Sequence, residues 1–221
     1  MPFPVAGKLV SHTGPGLAIQ ESLYGFIMAM IFVNAAQAGI LTFVSNIQLA
    51  IVIFSTNFTW GVIDALVIIL VGTLERKRDL LILRRSRENN DSKYRAMVKD
   101  DLSGTIVDAV TDEDECRIIH QILASEVESD EELAKDRRDL YMAGLSSFVI
   151  TVLAAVPALI PILLIPDLHT ALFVASAFGA TALFFVGYGM SRHIGANRWG
   201  MALMFMTIGW AVTVMATFMG G

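Results

Sequence analysis

Two long apolar blocks flank one charged block. Between Ser22 and Thr73 the sole charged side chain is Asp64, and from Gly144 to Gly221 only Asp167, Arg192 and Arg198 carry charge besides two histidines. A helix that crosses a bilayer needs about 20 mostly apolar residues. The first block has room for two such helices, expected at 22–44 and 48–74, with Ser45–Gln48 as a tight connection. The second has room for three, expected at 144–165, 168–191 and 197–219, divided at Pro166-Asp167 and at 191–198. The pattern predicts an all-α membrane protein with five transmembrane helices and a charged cytoplasmic helical insert between the second and third. The chain then falls into residues 1–74, 75–140 and 141–221.

The charges orient this plan. Thirteen of the sixteen Lys and Arg lie between Arg76 and Arg138, Lys8 precedes the first span, and Arg192 and Arg198 lie between the fourth and fifth. With five spans all of these fall on one side, and the two opposite connections carry no Lys or Arg. Basic residues collect on the cytoplasmic side, so the N-terminus and the insert are expected in the cytoplasm and the C-terminus across the membrane. Residues 1–20 contain Pro2, Pro4 and Pro15 and no apolar core, so the first span is expected to act as an uncleaved anchor. Composition agrees with a membrane protein: 55% of residues are hydrophobic and the mean hydropathy is +0.62. The single cysteine, Cys116, excludes a disulfide within the chain and suits a reducing compartment.

The insert divides by charge. Arg76 to Lys99 holds nine basic and three acidic side chains, and Asp100 to Asp139 holds fourteen acidic and four basic. The basic part is assigned to anionic lipid headgroups, not to nucleic acid. In the acidic part, Thr111 followed by Asp112, Glu113 and Asp114 predicts an N-cap and first turn, with Ile118, Ile119, Ile122 and Leu123 as the apolar face. A further helix near 129–141, bearing Leu133 and Leu140, should run into the third span. Asp112, Cys116 and His120 recur at i, i+4, i+8 beside Glu113, with Glu126 further on. Carboxylate, thiol and imidazole together suit Fe²⁺ or Zn²⁺, although positions eight apart cannot share one ion, and charge runs are usually solvated surface.

Asp64 is the sharpest feature. An ionised Asp at the bilayer centre costs at least about 2.5–3.5 kcal/mol, so such residues face a bundle interior or a cavity. A helix-tying hydrogen bond returns only about 0.6 kcal/mol, which favours a functional role. Asn57, Gly61, Asp64, Ile68 and Glu75 lie near one face of the second span. Met30, Asn34, Gln37 and Leu41 form a stripe on the first, and the two stripes are expected to face each other. They would line a path with carboxylate and amide oxygens and the thioether of Met28 or Met30, a donor set for transition metals. Pro157 and Pro161 should kink the third span. Ala175, Gly179 and Gly187 give the fourth a close-packing face. The sequence contains no nucleophile elbow, phosphate loop or zinc-protease pair, so an enzyme is not expected.

Three stretches, ESLYGFIMAM, NFTWGVIDALVIILVGTLERKR and ASAFGATALFFVGYGMSRHIG, together with the layout, resemble a prokaryotic branch of the vacuolar iron transporter family. The resemblance implies a homodimer that exports Fe²⁺ or Mn²⁺ from the cytoplasm, often against protons. By it Asp64 is the acidic position of helix 2, Glu75 the glutamate near its cytoplasmic end, and the insert a metal-collecting domain. The family's helix 1 Asp-Gly pair has no counterpart between Ser22 and Phe43, so Asn34 or Gln37 is expected to stand in. Val67-Ile68 replaces a Ser-Met pair and with it one thioether ligand. The alternative is a membrane scaffold or sensor whose acidic insert binds a metal or a partner without transport.

Overall fold

The structure, a computed structural model, describes residues 14–88, 92–124 and 130–219. Among these every regular element is helical: α1 (Pro15–Gln37), α2 (Asn46–Glu88), α3 (Ser92–Leu102), a 3₁₀ turn (Ile106–Ala109), α4 (Asp112–Ala124), α5 (Asp130–Ala154), α6 (Val156–Leu164), α7 (Leu168–Ile194) and α8 (Arg198–Met219). Five stretches are long and apolar enough to cross a membrane: Gly16–Gln37, Asn46–Ser86, Leu133–Leu164, Leu168–Arg192 and Arg198–Met215. The chain forms two compact units, residues 69–140 and the remainder.

In the first unit, the first span lies seven residues earlier than the apolar pattern places it. Its start follows Gly14, at φ 78°, with Pro15 in the first turn, where a missing N–H costs no helical hydrogen bond. Its end is a Schellman motif. Gly39 takes φ 73°, its N–H reaches the Ala36 carbonyl, and the Ile40 N–H reaches the Ala35 carbonyl. The expected boundary at Ser22 follows from starting the uncharged block after Glu21, whereas Glu21 is 3% exposed within the helix.

The connection that follows is residues 38–45, not the expected 45–48. Ser45 caps α2 by accepting the Gln48 N–H, and the Gln48 side chain reaches back to the Val44 N–H. This Ser-x-x-Gln arrangement is close to a capping box, so the residues expected to form the loop form the first turn. The Asn46 amide donates to the Ile165 carbonyl at 2.7 Å, which puts the α1–α2 and α6–α7 connections at the same end of the bundle. At that end Asp167 caps α7 through the Thr170 N–H at 2.8 Å. The hydrogen bonds from Thr170 hold the Asp167 carboxyl below the usual carboxylate range.

The core joins α1, α2, α6 and α7 through Val33, Leu49, Ile53, Ala158, Ile162 and Ala175. The expected small-residue face of the fourth span is there. Gly179 of α7 lies against the Met30 sulfur, and a Cβ on Gly187 would come within 2.6 Å of the Met201 carbonyl of α8. The third span is two helices, broken at Ala155. Pro157 lies in the first turn of α6 and Pro161 inside it. At the break the Ala155 N–H bonds to the Val152 carbonyl at 3.2 Å.

In the second unit, Ile82 of α2, Val98 of α3 and Ile119 of α4 form a small apolar core. Arg78 grips both oxygens of Asp101 (2.7 and 3.0 Å), and Lys99 pairs with Glu115 at 2.9 Å. Thr111 accepts the Asp114 N–H, as its sequence position predicts.

Candidate functional site

The carboxylate of Asp64 has an acidic neighbour, and it comes from the first span. Glu21 of α1 lies close enough to Asp64 of α2 for the two carboxyl groups to interact. The other link of Glu21 is to α5, where Thr151 Oγ1 donates to Oε2 at 2.8 Å. Glu21 and Thr151 are buried, at 3% and 0% exposure, and Asp64 is partly buried.

Two glycines let three helices approach closely enough for this contact. A Cβ on Gly25 would lie 2.6 Å from the Ala154 Cβ and 2.8 Å from the Thr151 carbonyl, and one on Gly61 would lie 3.1 Å from the Phe148 ring. Asn57, fully buried, pins the same junction. Its Nδ2 donates to the Gly25 carbonyl at 2.9 Å and the Thr151 carbonyl at 3.1 Å. The Thr151 carbonyl is free to accept because the Ala155 N–H, its ordinary helical partner, turns to Val152 at the proline break. The break in the third span thus supplies the acceptor that locks α2 to α5.

Two buried oxygens nearby have no hydrogen-bond partner: Asn57 Oδ1 and Ser147 Oγ. Buried polar groups are normally paired, so these two are available to a ligand. Ser147 is one turn from Thr151. The antiparallel register set by Asn57 with Thr151 and Gly61 with Phe148 puts it within a turn of the level of Asp64. Beside the carboxyl pair a cavity of ≈ 490 Å³ opens between α1 and α2. It is lined by Tyr24, Ile27, Met28, Ile31 and Phe32 of the first helix and Thr56, Trp60 and Asp64 of the second.

The expected meeting of the polar stripes of spans 1 and 2 is corrected here. Met30, Asn34 and Gln37 turn to α7 and α8. Met30 packs over Gly179, Asn34 borders a void of ≈ 10 Å³ with Ser176 and Thr213, and Ser176 donates to Gln37 at 3.3 Å. A second series at the same spacing, Glu21, Gly25, Met28 and Phe32, turns to α2 and α5. Met28 and Met30 are 200° apart on a helix, so only Met28 brings its sulfur to the Asp64 cavity. Beside Asp64, where Asn34 or Gln37 is expected as stand-in for a helix 1 acid, the neighbouring group is Glu21. The signal was in the sequence: Glu21 is four residues before Gly25, on the face that the glycine marks as a close contact.

Among the insert residues, Glu75 is exposed on α2, and Asp112, Glu113, Cys116 and His120 are all exposed on α4. The stripe expected along α4 exists, but among the described residues no three His, Cys, Asp or Glu side chains converge on one point. Glu126 lies outside the described residues, as do Lys8 and the first two prolines.

The chain matches the model of the VIT family over residues 73–221. That stretch contains α3 to α8 and ends short of the N-terminal carboxyl pair, so the assignment and the site rest on separate parts of the chain. No curated protein matches the sequence. With well over half of its length covered, the chain belongs to the VIT family, a family of membrane metal-ion transporters.

Proposed function

We propose that this protein carries a divalent metal ion, Fe²⁺ or Mn²⁺, out of the cytoplasm, and that Glu21 and Asp64 form its intramembrane binding site. The observation behind the proposal is the proximity of the buried Glu21 carboxyl to the partly buried Asp64 carboxyl. Placing two acids together inside a bundle is costly unless a cation or a proton neutralises them. A dication entering the site is held between both carboxylates and displaces any proton bound there. Its departure lets a proton return, which couples metal movement to a proton gradient. The Met28 thioether at the cavity wall and the uncommitted oxygens of Asn57 and Ser147 extend the donor set, and a sulfur among oxygens favours a transition metal over Mg²⁺ or Ca²⁺.

Because Glu21 supplies the second acid, the site needs no carboxylate from another copy. A homodimer remains part of the proposal for a different reason. The second span is the least covered of the five, with 11% of its apolar window buried, and Ile51, Phe58, Val62 and Leu66 lie on the face of α2 opposite Asp64. In the proposed orientation the insert is cytoplasmic, its basic part lies at the headgroups, and its carboxylates, Glu75 included, raise the local cation concentration at the entrance.

Metal-loaded proteoliposomes test the site. Wild-type protein should move Fe²⁺ or Mn²⁺, while Asp64→Asn and Glu21→Gln should each lower the flux by at least about tenfold, the scale of losing one side of a buried charge-assisted contact. Both variants keep hydrogen-bonding groups of the same shape, so their thermal melting should stay close to wild type. Undiminished flux in a folded Asp64→Asn protein would sink the proposal.

A further inference from the structure

The cavity at Asp64 is larger and more apolar than an ion requires. A dication with six waters fills about 180 Å³ at ~30 Å³ per water, whereas this cavity measures ≈ 490 Å³. Pockets of roughly 300–1,000 Å³ with apolar walls and one or two polar groups suit small organic molecules. Here the polar groups are the Asp64 carboxylate and the Thr56 hydroxyl, and the walls include three aromatic side chains, Tyr24, Phe32 and Trp60. Of the two neighbouring acids only Asp64 reaches the cavity wall, and an acid among aromatic rings is the chemistry that recognises an organic cation. The rings attract positive charge through their faces, and the carboxylate compensates it in a region with little water. The aliphatic wall at Ile31 would shelter an apolar body, which a hydrated metal ion lacks.

We infer that the cavity between α1 and α2 binds lipophilic organic monocations, of the quaternary ammonium or hindered amine class, with the positive group at Asp64 and the apolar body against Phe32 and Ile31. Such a ligand is a competitor of the metal for Asp64, and it binds whether or not the protein transports metal. The inference therefore shares a residue with the transport proposal without depending on flux.

Trp60 reports on the cavity directly. The chain has three tryptophans, and Trp199→Phe with Trp210→Phe leaves Trp60 as the sole tryptophan, excited selectively at the red edge of indole absorption, in the full-length protein in detergent or nanodiscs. Titration with tetrapropylammonium should change its emission saturably. Asp64→Asn should weaken the binding by about tenfold or more and Tyr24→Ala by several-fold, and an uncharged hydrocarbon of the same size should give no saturable change. Equal responses to the charged and uncharged probes, or an Asp64→Asn titration identical to the parent, would mean lipid-like partitioning and would overturn the inference. So would a flat titration in protein whose melting is unchanged. The two readings separate cleanly: saturable binding without metal flux retires transport alone, and metal flux with a flat titration retires this site alone.

Discussion

Glu21 gains its meaning from Gly25. The glycine removes the one Cβ that would hold α1 away from α5, where the Ala154 side chain and the Thr151 carbonyl already occupy the space. One turn before it, Glu21 then reaches both the Thr151 hydroxyl and the Asp64 carboxyl. Gly25→Ala should therefore act twice. Overpacking of this kind typically costs about 1–3 kcal/mol, which thermal melting in detergent would register, and the separation of the helices should reduce metal flux even at temperatures where the variant stays folded. Full stability together with full flux in Gly25→Ala would show that the close approach is not needed. An uncharged methyl group would, on the present geometry, disable the site by moving a helix.

At the scale of elements, the third span does more than cross. Its break at Ala155 releases the Thr151 carbonyl to Asn57, so a proline kink in one helix becomes an anchor for another. In the second unit the short helices are held by one small apolar core, with Ile119 at 2% exposure between Ile82 and Val98. Truncating a buried Ile to Ala usually costs about 2–5 kcal/mol. Ile119→Ala should accordingly raise amide hydrogen exchange across α3 and α4 in the full-length protein, with protection at residues 46–68 of α2 unchanged. Exchange that rises equally in both places would mean that the two units unfold as one. The long α2 itself follows from simple geometry: 43 residues at 1.5 Å rise exceed the roughly 30 Å hydrocarbon thickness about twofold. Its charged last third, from Glu75 onward, thus has to continue outside the apolar layer.

For the whole molecule, five membrane-length helices and membership of the VIT family put metal-ion transport across a bilayer at the centre of its function. The proposed orientation has a built-in reporter, because Cys116 is the sole cysteine and is exposed on α4. A membrane-impermeant maleimide should fail to label it in intact cells and should label it after permeabilisation. Labelling of intact cells would reverse the orientation, and with it the direction of transport proposed above. The five-span count was readable because a bilayer imposes one length on every crossing, and a run of about 20 apolar residues needs no partner to be recognised. The capped start of α4 and the run of α5 into the third span were readable for a similar reason: caps and helical periodicity are local.

What the sequence determined by itself was whatever local physics settles. It set the number of crossings, the charged unit between the second and third, the small-residue face of α7, and the place of Asp64 as a lone acid in an apolar helix. What it left open was rotation. A helix presents several stripes at once, and Met30, Asn34 and Gln37 looked as suitable as Glu21, Gly25 and Met28 until packing chose between them. Gly179 accepted Met30, Gly25 admitted α5, and the choice turned the amides away from Asp64 and brought Glu21 to it. Only the tertiary structure decided that the acid beside Asp64 comes from the first helix, because only close packing between helices distinguishes a charge at a helix end from a charge inside a bundle.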